Sequence, residues 1–278
     1  MSVYFAPADG SPTWPVCRRC PGIALDLGSS RTRAWVPGRG IILDVPTISV
    51  EGAAGSHPIQ RGTIVDPEGT ARMLQRLLRP RVPRHARPLI ALTTPVLGGI
   101  AYRKAARAAL EVLRPRTVLT IPTATAVALG AGADMSRPLL IVDFGAHLTE
   151  VFLLADGAVV DAHRTALGTD DLDQATTHRA ITDAVSGTVT DMLRQDHTTQ
   201  TLDAVRRGVL LAGGGARHPE FAHQLAQDLH VPVRPLPAPH TAAVRGAAKV
   251  LRSARGHPSV THVADPRHRR SSGAAEPP

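Results

Sequence analysis

Two aspartates that share one local pattern are the residues whose chemistry stands out in this sequence. Asp143 ends the apolar run at residues 139–142 and is followed two residues later by Gly145. Asp26 ends a similar apolar stretch and is followed two residues later by Gly28. A carboxylate at the end of a buried strand, beside a turn with outward-facing amides, can hold Mg²⁺ and phosphate. A single Asp-x-Gly is also typical of an ordinary turn, so the second copy is what favours a ligand site.

Small and hydroxyl side chains accompany both aspartates. Ser29, Ser30 and Thr32 follow the first one, and Thr149 follows the second. Further along, the apolar stretch at residues 208–212 leads into a run of small residues, Gly213, Gly214, Gly215 and Ala216. Glycines let backbone amides approach a phosphate because no Cβ lies in the way. The sequence thus predicts three ligand-binding loops.

The elements that must position these loops follow from the apolar periodicity. Each Asp-Gly turn lies between two predicted strands, so each forms a hairpin. A helix is predicted to begin with Asp66 as its N-cap and Pro67 in its first turn. Two Asp-Gly hairpins followed by strand, glycine run and helix resemble the layout of actin, sugar kinases and heat-shock-protein ATPase domains. We therefore expect an α/β, actin-like ATPase fold with two duplicated, ribonuclease H-like halves.

The domain boundaries are predicted from composition. Residues 1–21 are rich in proline and read as a disordered leader. Residues 22–136 form the first half, and residues 137–240 form the second. A last helix at residues 240–252 is expected to pack back on the first half. Residues 253–278 are rich in Ser, Gly, Pro, His and Arg and are predicted to be a disordered tail.

Bulk composition limits the class of protein. The 278 residues are 43% hydrophobic, so the chain can bury a core even though only 3% are aromatic. No apolar run approaches the roughly 20 residues of a membrane span, and no signal peptide is evident. We expect a cytoplasmic protein. Cys17 and Cys20 are interpreted as surface thiols of the leader, although a C-x-x-C pair can also bind metal or act in redox chemistry.

Charge is divided between the two parts of the chain. Residues 72–116 carry eleven Lys or Arg and one acid, whereas residues 138–207 carry eleven acids and five Arg. One interpretation is a set of solvated faces. The other is a basic surface for anionic lipid, which would make the protein membrane-peripheral, or for an acidic protein partner. Nucleic acid is not expected as a partner, because this region lacks interleaved aromatics for stacking on bases.

Local sequence narrows the resemblance to one family. GIALDLGSSRTRAWV at residues 22–36 is similar to the first phosphate strand of the bacterial MreB family of rod shape-determining proteins. LRPRTVLTIPTATAVALGAGADM resembles the family's connecting segment, and GVLLAGGGARHPEFAHQLAQDL its adenosine motif. The resemblance runs from about residue 22 to about residue 251. Residues 49–57 and 174–207 leave no room for the family's small outer subdomains, so it implies a divergent member reduced to the two inner subdomains.

The resemblance implies ATP and Mg²⁺ as cofactors, with binding weakened. Asp26 and Asp143 would hold the metal. The phosphates would contact Gly28, Ser29, Ser30, Thr32, Gly145 and Thr149. The adenosine would contact Gly213, Gly214, Gly215 and Ala216.

The second phosphate turn departs from the family pattern Asp-Ile-Gly-Gly-Gly-Thr-Thr-Glu. Here it reads Asp-Phe-Gly-Ala-His-Leu-Thr-Glu, with His147 at its centre. His147 is expected to obstruct the γ-phosphate; alternatively, its protonated imidazole replaces a lost donor. Family members also carry an acidic residue just before a proline, which orients the attacking water. Thr120 and Ile121 precede Pro122 here, so weak or no ATPase activity is expected, and no catalytic residue is assigned.

The leading functional hypothesis is a protein of cell shape and cell-wall morphogenesis. It would act through protein partners of the cell-shape machinery, including full-length MreB-like relatives. One alternative is a small-molecule kinase of the same superfamily, with Asp143 as its catalytic aspartate. Another is a nucleotide-free module that binds membrane or protein through residues 72–116.

Overall fold

A computed structural model describes residues 21–49, 56–83, 85–174 and 176–256 of the chain. The predictions for residues 1–20, for Cys17 and Cys20, and for the tail beyond residue 256 lie outside these ranges. None of the helices in the described ranges is long and apolar enough to cross a bilayer.

The first sheet is built from the N-terminal part of the chain. Its strands are β1 (Gly22–Leu27), β2 (Arg31–Val36), β3 (Gly40–Pro46), β6 (Leu89–Thr94) and β7 (Thr117–Pro122). They lie in the order β3-β2-β1-β6-β7. The hairpin strands β1, β2 and β3 pair antiparallel, while β1, β6 and β7 pair parallel. A separate two-stranded hairpin, β4 (Ile59–Gln60) and β5 (Thr63–Ile64), follows β3 in the chain.

The second sheet repeats this arrangement strand for strand. Its strands are β8 (Leu139–Phe144), β9 (Thr149–Ala155), β10 (Ala158–Thr165), β11 (Val209–Ala212) and β12 (Val233–Pro235). Their order is β10-β9-β8-β11-β12, again three antiparallel strands followed by two parallel additions. The strands that end in Asp26 and Asp143, β1 and β8, are therefore the central strands of equivalent sheets.

Helices connect and cover the strands. They are α1 (Pro67–Leu78), α2 (Gly99–Leu110), α3 (Thr123–Ala131), α4 (His178–Gln195), α5 (Gln200–Arg207), α6 (Pro219–Leu229) and α7 (Ala242–Gly256). The predicted cap of α1 is present, because the Asp66 carboxylate accepts a hydrogen bond from the Gly69 amide at 2.7 Å. Helix α7 runs to Gly256, so the prediction that the disordered tail begins at residue 253 is wrong. The guanidinium of Arg252 lies 4.6 Å above the Trp35 ring, which holds this end of α7 against β2.

The two faces of each sheet pack against different helices. Ile23 and Leu25 of β1 belong to a core with α1 and α2, while Ala24 packs with α7. Leu140 of β8 packs with α4 and α6, while Ile141 packs with α3 and the start of α7. This alternation follows from the two-residue period of a strand. Helices α3 and α7 thus form a layer between the two sheets.

Small residues bring α3 and α7 unusually close. A Cβ at Gly246 would lie 1.7 Å from the carbonyl oxygen of Ala126, and one at Gly130 would lie 2.0 Å from that of Ala242. No side chain fits at such distances, so backbone meets backbone at this crossing. The spacing between the two sheets depends on these glycines.

Substitution of Gly246 by alanine is expected to destabilise the protein by about 3 kcal/mol, because a methyl group would force α3 and α7 apart. Urea denaturation at equilibrium measures this. The matched control is Gly187→Ala in the middle of α4, where a Cβ meets nothing within 4 Å. That change should stabilise the protein by about 0.5–1 kcal/mol through helix propensity. A Gly246→Ala protein as stable as wild type would contradict the close packing.

Candidate functional site

A cleft of about 300 Å³ lies where the two halves meet. Asp26 and Asp143 both line it, together with Gly28 and Gly145. The cleft lies at the C-terminal ends of β1 and β8, which is where open α/β sheets commonly bind ligands. The two aspartates, 117 positions apart in the chain, therefore face one site.

The turns after β1 and β8 have the same hydrogen bonding. The Gly28 amide donates to the carbonyl of Arg31 at 3.0 Å, and the Gly145 amide donates to that of Leu148 at 2.8 Å. A Cβ at Gly28 would lie 2.9 Å from the Arg31 carbonyl oxygen, and one at Gly145 would lie 2.8 Å from that of Leu148. Glycine is thus needed to close each turn, apart from any contact with a ligand.

The hydroxyl groups expected in the site divide into two classes. Ser29 and Ser30 line the cleft, and the Ser29 hydroxyl accepts a hydrogen bond from the Gly62 amide at 3.3 Å. Thr32 and Thr149 are 0% and 1% exposed and do not line it.

Thr32 and Thr149 are already used inside the protein. The Thr32 hydroxyl lies 2.9 Å from that of Thr47, and the Thr149 hydroxyl donates to the Leu167 carbonyl at 2.9 Å. Thr32 and Thr149 were expected to contact the phosphates, and this expectation is corrected because neither side chain reaches the cleft. Thr32 also contacts the sulfur of Met73 in α1 at 4.0 Å, so both threonines are held in the interior and not at the surface of the cleft.

Of the four small residues after β11, only the first two line the cleft. Gly213 and Gly214 line the cleft, and Gly213 has φ 85°. A Cβ on Gly213 would lie 2.3 Å from an Asp143 carboxylate oxygen, so glycine permits this close approach. Gly215 and Ala216 are buried and do not line the cleft, and a Cβ on Gly215 would lie 2.6 Å from the Cβ of Phe144. Gly215 and Ala216 were expected to contact the adenosine, and this expectation is corrected because neither residue lines the cleft.

A row of charges crosses the first sheet beside the cleft. The Arg33 guanidinium lies 3.7 Å from Asp26 and 3.3 Å from Asp44. The Thr93 hydroxyl donates to Asp26 at 2.6 Å. Burial alone would raise the pKa of Asp44, but the hydrogen bond from Arg31 and the charge of Arg33 together lower it. Arg33 was not among the predicted site residues, although the register of the β1–β2 hairpin, which pairs it with Asp26, is a signal that indicates it.

The equivalent row in the second sheet has a different charge order. Asp143 pairs with Glu150 in register, and Arg164 lies 2.9 Å beyond Glu150. Burial raises the pKa of Asp143 to about 7, with further contributions from the charges of Glu150 and Asp26, against the opposing charge of Arg33. Burial also raises the pKa of Glu150, although Arg164 opposes this shift. Two acids thus lie side by side where the first sheet has an acid and an arginine.

His147 lies in the second turn and lines the cleft. Its Nε2 is 3.4 Å from a carboxylate oxygen of Asp170. Its Nδ1 is buried, and no hydrogen-bond partner for it lies among the described residues. His147 therefore brings a side chain to the cleft lining at a turn whose related pattern has glycine.

Arg61 joins the two halves at the mouth of the cleft. It lies in the β4–β5 turn, with φ 44°. Its guanidinium donates to the carbonyls of His147 and Ala166 at 3.1 and 2.8 Å and pairs with Asp171 at 3.0 Å. Sequence analysis did not single out Arg61, because nothing in the local sequence shows that this turn reaches the second half.

The segment before Pro122 offers no acidic side chain to the cleft. Ile121 is 6% exposed, and its carbonyl accepts a hydrogen bond from the Thr94 hydroxyl. Neither Thr120 nor Ile121 lines the cleft, while Thr123 does. The carboxylates that line it are those of Asp26, Asp143, Glu150 and Asp170.

Comparisons with known proteins agree with this geometry. The family model described as MreB/Mbl protein matches residues 51–180. Cell shape-determining protein MreB of Escherichia coli strain K12 is 26% identical over 186 residues, which covers 55% of this chain and 53% of that protein. Cell shape-determining protein Mbl of Bacillus cereus is 24% identical over 178 residues, covering 54% of each. The chain thus spans about half the length of the curated relatives it matches.

Solved structures share the fold. MreB5 of Spiroplasma citri bound to ADP superposes with a TM-score of 0.75 at 16% identity, covering 88% of this chain and 99% of that one. The ethanolamine utilization protein EutJ of Carboxydothermus hydrogenoformans superposes with a TM-score of 0.61 at 15% identity, covering 84% and 91%. The predicted actin-like fold and the resemblance to the MreB family are confirmed.

The raised pKa of Asp143 predicts a pH-dependent stability in buffer without divalent metal. The pKa of an Asp in the unfolded chain is near 3.9. Because the folded carboxyl ionises less readily, the free energy of unfolding falls as the pH rises from about 4 to about 7. Asp143→Asn removes this cost. Its stability relative to wild type should therefore rise by about 2 kcal/mol between pH 5 and pH 8.

Denaturation at both pH values, with Asp156→Asn on an exposed turn as the control, measures the difference. A relative stability of Asp143→Asn that does not change with pH would show that the carboxyl titrates normally.

Proposed function

We propose that this MreB-like, actin-fold chain binds ATP with Mg²⁺ in the cleft, hydrolyses it slowly or not at all, and acts in cell shape. The observation that carries the proposal is the pair of equivalent Asp-Gly turns that face each other across one cleft. Support comes from MreB5 of Spiroplasma citri, a fold relative whose crystal structures hold ADP and AMPPNP.

The donor set fits a hard cation and phosphates. Asp26 and Asp143 offer carboxylate oxygens, which Mg²⁺ prefers, and Mg²⁺ supplies charge neutralisation of the phosphates. Gly28, Ser29, Ser30 and Gly145 line the same space, so backbone amides and hydroxyls at these turns are the candidate phosphate donors. Gly213 and Gly214 border it on the side proposed for the adenosine.

Binding is proposed to be weak because the second turn is partly filled. Ala146 and His147 replace residues without side chains in the related pattern, and His147 extends into the cleft. Arg33 adds a fixed positive charge beside Asp26, which repels a second cation at that carboxylate.

Slow hydrolysis is proposed because nothing before Pro122 can orient water. A side chain that positions the attacking nucleophile is a recurring requirement of phosphoryl transfer. Ile121 is apolar and buried, and Thr120 lies outside the cleft. The protein would then act through partners of the cell-shape machinery, including full-length MreB-like relatives, from the cytoplasmic side.

Nucleotide binding is tested by titration with a fluorescent ATP analogue in the presence and absence of Mg²⁺. The Ala146→Gly/His147→Gly protein should bind ATP about tenfold more tightly than wild type, because a cleared turn admits the γ-phosphate; that corresponds to about 1.4 kcal/mol. ADP, which lacks this phosphate, should gain less.

His197→Gly, in an exposed loop after α4, is the matched control. Weaker ATP binding in the double variant would show instead that His147 serves as a phosphate donor. Absence of saturable binding at millimolar nucleotide, in wild type and double variant alike, would contradict the nucleotide site.

A membrane contact is a second candidate function, favoured by the start of α2. Ile100 is 76% exposed and Leu97 is 47% exposed. Arg103 and Lys104 follow Ile100 at the i+3 and i+4 positions of the same helix and are exposed. An apolar residue flanked by basic ones suits the surface of an anionic bilayer.

Pelleting with liposomes tests this contact. Binding to vesicles with anionic lipid should fall at high salt, since surface attraction is screened beyond about 10 Å at 0.1 M salt. Ile100→Ser should reduce pelleting severalfold, whereas Leu202→Ser, at an exposed position on α5, should not. Equal pelleting with neutral vesicles would contradict the candidate.

A further inference from the structure

Two histidines and a glutamate of the second half come together outside the set of residues that lines the cleft. His178 is the first residue of α4, His218 precedes α6, and Glu220 lies in its first turn. The ligand atoms that these three side chains offer all lie within 4.8 Å of one another. His218 and Glu220 are exposed, and His178 is partly buried.

His178 is the member that most requires a partner. Its Nε2 is buried, yet no hydrogen-bond partner for it exists in the described part of the chain. A buried polar atom without a partner costs roughly 1–3 kcal/mol. The ring is held in place by aromatic contacts, with centroid distances of 4.9 Å to Phe221 and 5.5 Å to His218.

We propose that His178, His218 and Glu220 form a Zn²⁺ site. Imidazole nitrogens together with a carboxylate suit zinc, whereas Mg²⁺ and Ca²⁺ prefer oxygen ligands alone. Bonds of about 2.0–2.1 Å place tetrahedral zinc ligands about 3.3 Å apart, so separations of up to 4.8 Å must contract by up to about 1.5 Å. The two exposed side chains can supply that movement by changing rotamer. Three protein ligands leave a fourth position for water.

The place of the cluster between two helices indicates a structural role for the metal. Helix α4 follows the short 3-10 helix Thr169–Asp171, whose first two residues line the cleft. Helix α6 follows the loop of Gly213 and Gly214. Zinc would therefore tie together the helices that extend from two loops bordering the cleft.

A packed aromatic pair connects this site with the second Asp-Gly turn. Phe221, beneath His178, stacks on Phe144 with 4.3 Å between ring centroids. Phe144 follows Asp143 directly in the chain. Immobilising His178 and α6 therefore restrains the residue next to the proposed Mg²⁺ ligand.

Zinc titration by calorimetry tests the site on the tag-free chain of 278 residues. Cys17→Ser/Cys20→Ser serves as the common background, because a C-x-x-C pair is itself a zinc ligand set. This protein should bind one equivalent of Zn²⁺, and Co²⁺ in its place should give the visible absorption of a tetrahedral complex. His178→Ala and Glu220→Gln should each weaken binding by about 100-fold, as loss of a ligand costs at least as much as loss of its supporting contacts.

His223→Ala is the matched control, since His223 is an exposed histidine of α6 outside the cluster. Its affinity should equal that of the background protein. Glu220→Gln changes one exposed side chain, so it decides the question even if His178→Ala fails to fold. Zinc binding that survives Glu220→Gln unchanged, or no binding by the background protein, would overturn the site.

Hydrogen exchange gives an independent measure of the structural role. Zinc should slow amide exchange at residues 169–172 and 213–218 in the background protein and not in Glu220→Gln. Equal exchange with and without saturating zinc would overturn the proposed link between the two loops.

Discussion

The backbone contact between α3 and α7 is the constraint on which the arrangement of the molecule depends. Gly130 and Gly246 let the two helices approach until carbonyl groups meet the opposite backbone. This thin helical layer separates two sheets of equal topology and sets how closely their central strands face each other. A wider layer would move the ends of β1 and β8 apart, so that their two turns would no longer face one cleft. The geometry of the site therefore depends on two glycines that offer no side chain to it.

The two halves share a topology but differ in their charges. In the first sheet, Arg33 lies between Asp26 and Asp44, and Arg31 supplies a second positive charge to Asp44. In the second sheet, Asp143 and Glu150 are neighbours, and Arg164 reaches only Glu150. Burial chiefly raises the pKa of Asp143, and the charges of Glu150 and Asp26 raise it further against the opposing charge of Arg33. Asp143 forms no ion pair with the described residues, which makes it the stronger candidate for a metal ligand.

Polar contacts across the mouth of the cleft add a second link between the halves. Arg61 reaches from the β4–β5 turn to two carbonyls and a carboxylate of the second half. These contacts are exposed, so each contributes little to stability. Their position over the second Asp-Gly turn nevertheless fixes the backbone that carries His147. The backbone conformation of this turn thus depends on both Gly145 and Arg61.

The sequence by itself determined the local elements and the repeated motif. Strand periodicity, the Asp66 cap and the Asp-Gly turns are short-range features, and the structure has each of them close to its expected position. The tertiary structure decided which side chains face the cleft. Thr32 and Thr149 are buried away from the cleft, because their side chains contact Met73 of α1 and the Leu167 carbonyl respectively. Arg33, Arg61 and the cluster around His178 became visible only once distant segments had packed, since side-chain proximity across elements is set by the fold and not by chain spacing.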